Sequence, residues 1–208
     1  MVDQGGTAAA VDGQASDGRR LRRVRNVAAV IDAVLEMFEE ESLTPTIERA
    51  AERSGLSLRS VYRYFPDQES LTRSAIDELW RRAEPVAHLS KIGQGPFEER
   101  VAVFAEMRVR LYELLGPGYR AGRVHAPRSV RIREDVARTR RTLTDQFELQ
   151  FRAELDALPP GLRVARATAA DIISQLDAID LLRRARRLTV GESTDVVAEA
   201  LRVTLSPP

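Results

Sequence analysis

The chain has 208 residues, 43% of them hydrophobic and 30% charged, which is enough apolar content for a sizeable core in one or two domains. It contains no cysteine, which excludes disulfides, thiol nucleophiles and thiolate metal sites, and its two histidines, His88 and His125, are too far apart in sequence to make a metal-binding motif. The formal net charge is +1, so an electrostatic partner has to be sought in local charge runs rather than in the total.

Residues 1–18 are small, polar and rich in Gly and Ala, and their composition predicts a disordered tail. The segment lacks a basic region followed by an apolar one, and no apolar run in the chain approaches the ~20 residues of a membrane helix. Neither a signal peptide nor a membrane anchor is expected, and the expected location is cytoplasmic. "RRLRRVR" then sets Arg19, Arg20, Arg22, Arg23 and Arg25 close together, with no acid between Asp17 and Asp32. From about Arg22 the pattern is helical: Val27, Val30, Ile31, Val34, Leu35 and Phe38 form one stripe, with Asp32, Glu36 and Glu39 opposite. "SLTPT" breaks this helix. Thr46 is placed to cap a second one, "IERAAERS", which stops at Gly55 in the manner of a C-terminal glycine cap. Ser57 caps a third helix so soon afterwards that the two must cross steeply, as in a helix-turn-helix. A fourth follows Phe65, capped by Asp67, with Leu71, Ala75, Ile76 and Leu79 inward.

Projected at ~100° per residue from Val61, Leu58 and Phe65 lie within about 60° of the core direction, whereas Arg59 and Arg63 lie about 160° away and face solvent together. Ser60 and Tyr62 take the flanks. Arginine binds guanine O6 and N7 bidentately, and hydroxyls and helix-terminal amides bind phosphate, so this surface suits DNA. Arg63 has a second reading as an ion-pair partner of Asp67 or Glu69, and Tyr64, about 60° from the core direction, has one as a packing residue. For the arginine run the second reading is a solvated charge run.

With "VIDAVLEMF", "TIERAAERSGLS" and above all "SLRSVYRYFPDQESL", the region resembles the DNA-binding domain of TetR-type transcriptional regulators. The spacing of Thr46, Ala51, Gly55, Ser57, Ser60, Tyr62, Phe65, Glu69 and Leu71 looks like that family's signature over some forty residues. Glu41 stands where a glycine is usual after the first helix, and Gln68 where a lysine is common. The resemblance implies that Leu58, Arg59, Ser60 and Arg63 face bases or the adjoining sugar-phosphate. It implies that Thr46, Tyr62, Tyr64 and Gln68 hold phosphates, with Ser57 in the same DNA-facing set, and that Arg22, Arg23 and Arg25 add electrostatic affinity from an arm, reaching the minor groove.

Beyond about Pro85 the chain is again helical. "FEERVAVFAEMRVRLYELL" is apolar on every side and reads as a central buried helix, which "GPGYRAGRVHAP" is expected to interrupt. A long amphipathic segment from Ser129 ends at Pro159, Pro160 and Gly161, and two further helices are expected from Ala165 and from Thr194. No strand alternation appears, so the predicted fold is all-α, with a disordered tail over 1–18, a DNA-binding unit over 19–83 and a second helical unit over 84–208. The second unit resembles, loosely, the family's ligand-binding and dimerisation domain, which implies a homodimer through the last two helices, roughly Ala165 to Leu205. It also implies a small-molecule effector, with Phe104, Met107, Arg108, Leu111, Gln175 and Ile179 as candidate ligand contacts. Arg108 sits on the apolar stripe, where a guanidinium needs an acid, a ligand anion or a way out to solvent. Trp80 and Met107 read as core.

There is no G-x-S-x-G elbow, no P-loop and no metal spacing, and "GPGYRAG" lacks the strand that a phosphate-binding glycine loop needs, so catalytic, metal and cofactor residues are assigned to none. The expectation is a ligand-responsive DNA-binding repressor that reads a near-palindromic double-stranded operator. The alternative is a helical protein-interaction module that has lost DNA binding.

Overall fold

The computed structural model describes residues 7–40 and 45–206, and side chains from Gly18 onward; Glu41 and the rest of 41–44 lie outside the described residues, as do residues 1–6 of the expected tail. All regular structure among the described residues is helical, with no strand. No described helix is long and apolar enough to cross a membrane. The chain folds as two compact units, Met1–Ala75 and Ile76–Pro208.

In the first unit α1 (Thr7–Glu39) packs on α2 (Ile47–Ser54) and α3 (Leu58–Tyr64), and α2 on α3. α1 starts at Thr7, well before Arg22, where the apolar periodicity begins, and Ala8, Ala9 and Ala10 are strong helix formers. Val30, Val34, Met37 and Phe38 are buried, with Ile47, Ala50, Ala51, Val61 and Phe65 opposite them in the unit's core. Gly55 ends α2 in the left-handed region at φ 70°, and the Leu56 amide returns to the Ala51 carbonyl at 3.1 Å. The three-residue link, Gly55, Leu56 and Ser57, turns the chain straight into α3, where Ser57 Oγ accepts from the Ser60 amide at 3.3 Å. Asp67 Oδ1 accepts from the Ser70 amide at 2.7 Å and so caps α4 (Gln68–Ala87).

The two units divide within α4, at Ala75 and Ile76, and Leu79, Trp80, Ala83 and Val86 all pack into the core of the second unit. Much of that core comes from α5 (Phe97–His125), which is not buried all round as expected, since Ala102, Val103, Glu106, Arg110, Glu113 and Leu114 form an exposed side; it runs without a break through Gly116, Pro117 and Gly118, against the expected interruption. A proline inside a helix costs roughly 3 kcal/mol, and here tertiary packing outweighs it. A Cβ on Gly116 would stand 3.0 Å from two atoms of the Tyr112 ring, so the glycine serves as room for that ring rather than as a helix end. Ser129 caps α6 (Val130–Gln150) through the Ile132 amide at 3.1 Å, and Phe151 joins it to α7 (Arg152–Ala157).

The helix expected from Ala165 begins earlier, at Pro160, which suits the first turn because its missing N–H has no intrahelical partner there. It is also not one helix. α8 (Pro160–Ser174) stops at an extended Gln175, α9 (Leu176–Asp180) restarts the chain, and a π-helical turn, Leu181–Ala185, follows. α10 (Val190–Leu205) starts before the expected Thr194. The Thr189 side chain accepts from the Glu192 amide at 3.2 Å while Glu192 accepts from the Thr189 amide at 2.7 Å, a capping box written in "TVGE".

Arg100 holds this unit together at one end. It is 7% exposed, pairs through Nη1 with Glu154 at 2.9 Å and through Nη2 with the same carboxylate, and donates to the Gln150 carbonyl at 2.6 Å and the Gly95 carbonyl at 3.1 Å. Arg100→Leu is expected to lower stability by about 3–5 kcal/mol in urea unfolding, since it strands a half-buried Glu154 and two carbonyls. The double variant Arg100→Met with Glu154→Leu, which leaves no unpaired charge, recovers part of that loss.

Candidate nucleic-acid interface

α3 is short because little of it needs to be buried. Val61 has no exposure and Phe65 closes the turn behind it, so one side docks while the other stays open. Arg59 and Arg63 are both exposed on the open side. Arg59 has no hydrogen bond or ion pair to another described residue, so its guanidinium is available. Leu58, placed near the core direction by projection, is 43% exposed instead. As the first residue of α3 its side chain tilts past the helix's N-terminal end, where no earlier turn lies beneath it. Ser60 is turned to Ser57, the two hydroxyls lying 2.9 Å apart.

Arg63 bonds neither Asp67 nor Glu69. Its Nη2 donates to the Tyr64 hydroxyl at 3.0 Å and its guanidinium carbon lies 5.1 Å from the Tyr64 ring centroid. From α1, Asn26 Nδ2 donates to the same hydroxyl at 3.2 Å, and Arg23 lies 6.0 Å from the ring centroid. Those donors, Asn26 first, lower the Tyr64 pKa. Tyr64 is therefore half-buried and joins α1 to α3 as one basic surface. Arg22, Arg23 and Arg25 are exposed on the helix α1, not on an extended arm.

The phosphate-binding set is partly occupied from within. The Tyr62 hydroxyl donates to Glu48 Oε1 at 3.2 Å, which raises its pKa. Thr46 Oγ1 accepts from the Arg49 amide at 3.3 Å as the cap of α2. Gln68 opens α4, but the Ser70 amide nearby belongs to Asp67. Sequence reasoning missed Asn26 and Glu48, whose roles come from pairing across helices; that Asn26 stands three residues from Arg23, on the same helical face, was the available signal.

In the second unit, Phe104, Arg108, Leu111 and Ile179 have no exposure, Met107 is 6% exposed and Gln175 9%. Arg108 lies over Phe104, 4.5 Å from the ring centroid, and its Nη2 donates to the Leu143 carbonyl at 2.5 Å; Nε and Nη1 lack partners among the described residues. Burial pushes its pKa down to about 9, against the opposing pull of Asp171. Gln175 donates to Asp171 at 2.7 Å and to Thr144 at 3.1 Å. None of these six residues lines the cavity of about 280 Å³ that lies in this unit. Its walls come from Leu115, Gly118, Tyr119 and Gly122 on α5, from Trp80 on α4, from Ile132, Val136 and Thr139 on α6, and from Leu176 on α9. The spacing of 115, 118, 119 and 122 on one helical face was the sequence signal for it.

Comparison with known proteins gives no matching family model and no significantly similar curated protein.

The cap on α3 is a local test of this geometry. Ser57→Ala is expected to lower stability by about 1 kcal/mol in urea unfolding, and Ser57→Asn, which keeps a capping acceptor, to restore most of it.

Proposed function

We propose that the chain is a ligand-responsive DNA-binding transcriptional regulator of the TetR type, a repressor in which α2 and α3 form the helix-turn-helix and α3 enters the major groove. The observation that carries this reading is the open side of α3, where Arg59 is exposed and without a partner beside Arg63, on a helix held by a glycine turn and a serine cap. Arg59 reads a guanine edge, while Arg63, Tyr64 and the exposed Arg22, Arg23 and Arg25 of α1 supply phosphate-directed charge. A bound effector in the second unit and bound operator oppose each other reciprocally. No reaction is assigned to the protein.

One recognition helix covers too few base pairs for useful specificity, so the reading includes a twofold homodimer on a near-palindromic operator. Its support is an uncovered apolar face. α8 and α10 pack together, and Leu162, Ala165, Ala169 and Ile172 recur at three- and four-residue spacing on the exposed side of α8, with Val196 and Val203 exposed on α10. Ile172 is 59% exposed and Val203 66%. Two copies of this pair make a four-helix bundle.

A protein-interaction module without DNA binding is the second reading. It is favoured by the Tyr62–Glu48 hydrogen bond and the Asp67 cap, which engage two groups that a phosphate would need.

Salt separates the two. Binding to random duplex DNA should fall linearly in log affinity against log salt, and a flat response would leave the interaction module as the better reading. On an operator selected from genomic fragments, Arg59→Ala should lose about 1–3 kcal/mol more than it loses on random DNA. Equal losses on both would reduce Arg59 to a phosphate contact. Ile172→Arg with Val203→Arg should yield a monomer by sedimentation and weaken operator binding, with the helical circular dichroism retained.

A further inference from the structure

The cavity in the second unit has a chemistry that narrows what fills it. Its α5 wall is made by a pair of glycines one turn apart, Gly118 and Gly122, and a Cβ on Gly122 would already touch Val136 Cγ2 at 3.4 Å and Ile76 Cδ1 at 3.5 Å. The space exists because those two positions carry no side chain. Leu115, Ile132, Leu176 and Trp80 supply apolar walls. The Tyr119 hydroxyl is turned out of use, donating to Asp177 at 2.7 Å and accepting from Arg140 at 3.0 Å.

Among the buried lining residues one further polar group is left over, Thr142 being exposed. Thr139 is 9% exposed, lines the cavity, and makes no hydrogen bond to any described residue. A hydroxyl held in an apolar space without a partner asks for one from the occupant. Charge is disfavoured there. The charged lining residues are Asp77, Asp135 and Arg138; Asp135 and Arg138 pair at 2.7 Å, and Asp77 and Arg138 are exposed, so these charges stay solvated and no buried charge stands among the walls to pair an ion drawn into them. Size follows from volume. A cavity of ~150 Å³ holds benzene, so about 280 Å³ accommodates a fused-ring skeleton of about a dozen non-hydrogen atoms.

We infer that this cavity binds an uncharged, compact polycyclic molecule bearing one hydroxyl or carbonyl group, which hydrogen-bonds Thr139 while its hydrocarbon body lies against Trp80 and the Gly118–Gly122 wall. This deepens the regulator reading, and the molecule's role as effector rests on that reading; the binding itself does not.

Trp80 is the chain's single tryptophan, so its emission reports on this cavity alone. The probes are 1-adamantanol, 1-aminoadamantane and 1-adamantanecarboxylate, which share one ultraviolet-transparent skeleton and differ in charge. The full-length protein without DNA should show a saturable change in Trp80 emission with the alcohol, and at least tenfold weaker binding of the amine and the carboxylate. Thr139→Val should weaken the alcohol several-fold and Thr139→Ser restore it, whereas Gly122→Leu should abolish binding with an unchanged thermal melt. A Gly122→Leu variant that melts early is set aside in favour of the Thr139 pair, which carries the same conclusion. No saturable change with the alcohol up to its solubility, equal or tighter binding of either charged analogue, or indifference to Thr139→Val would overturn the assignment. Operator binding is measured on ligand-free protein in a separate experiment, so failure of the DNA reading leaves this result interpretable, and the reverse.

Discussion

The second unit is built on α5, whose inward faces bury polar and charged side chains as well as apolar ones, while Ala102, Val103, Glu106, Arg110, Glu113 and Leu114 form its exposed side. α5 buries Arg100, Arg108, Tyr112 and Tyr119 along with its apolar residues, and a buried guanidinium or phenol is stable only beside a partner. The partners come from three other helices, α6, α7 and α9. Gln150 and Glu154 serve Arg100, the Leu143 carbonyl serves Arg108, Asp180 accepts from Tyr112 at 2.7 Å and Asp177 from Tyr119 at 2.7 Å. Hydrophobic contact is non-directional and would let α6, α7 and α9 slide along α5, whereas these bonds fix their registers. The break between α8 and α9 follows from the same demand. Asp177 and Asp180 must stand one turn apart facing Tyr119 and Tyr112, themselves two turns apart, so the chain bends at Gln175 rather than running on as one helix.

What was legible in the sequence was local. The glycine stop at Gly55, the serine cap at Ser57 and the aspartate cap at Asp67 depend on residues within four positions of each other, and all three are present in the structure. The all-helical character was legible for the same reason. Where the sequence misled, a local rule lost to a distant contact. Gly116, Pro117 and Gly118 carry every sign of a loop, yet the Tyr112 ring and the packing of α6 against α5 keep them helical. The candidate ligand residues were chosen from apolar spacing on α5, and that spacing marks burial, which is why those side chains are core and the cavity lies on the face where apolar bulk is missing.

The first unit shows how little burial a short docked helix requires. α3 contributes one fully buried side chain, so its orientation depends on what holds its ends: the turn at Gly55, the Ser57 cap and Tyr64. Tyr64 is the least obvious of these. Its ring is faced by Arg23 and Arg63, and its hydroxyl accepts from Asn26, so cations that would repel one another gather around a polarisable face and an oxygen. A basic surface that crosses from one helix to another needs such a spacer. Without it, Arg23 and Arg63 would favour the arrangement that separates them, and α3 has too little core contact to resist.

A stretch of α5 with low helix propensity borders the cavity. Gly118 and Gly122 lower the helix propensity of α5 by about 1 kcal/mol each relative to alanine, and Pro117 by roughly 3 kcal/mol. Alanine at 122 would meet only ordinary van der Waals neighbours, so sterics do not demand the glycine there. A sequence shaped for stability alone would fill this position and gain both propensity and contact, since an empty apolar volume forfeits dispersion on every wall. Leaving it open, beside a hydroxyl without a partner, departs from local consistency in the way that binding sites do, where stability is given up for space. The compensation lies at the cavity's own edge: the phenols of Tyr112 and Tyr119, with Arg120 and Arg140 against Asp180 and Asp177, clamp the same turns of α5 that the glycines and proline loosen. With Tyr119 shared between the polar clamp and the cavity wall, the turns that border the void are held in place and the void persists without collapse.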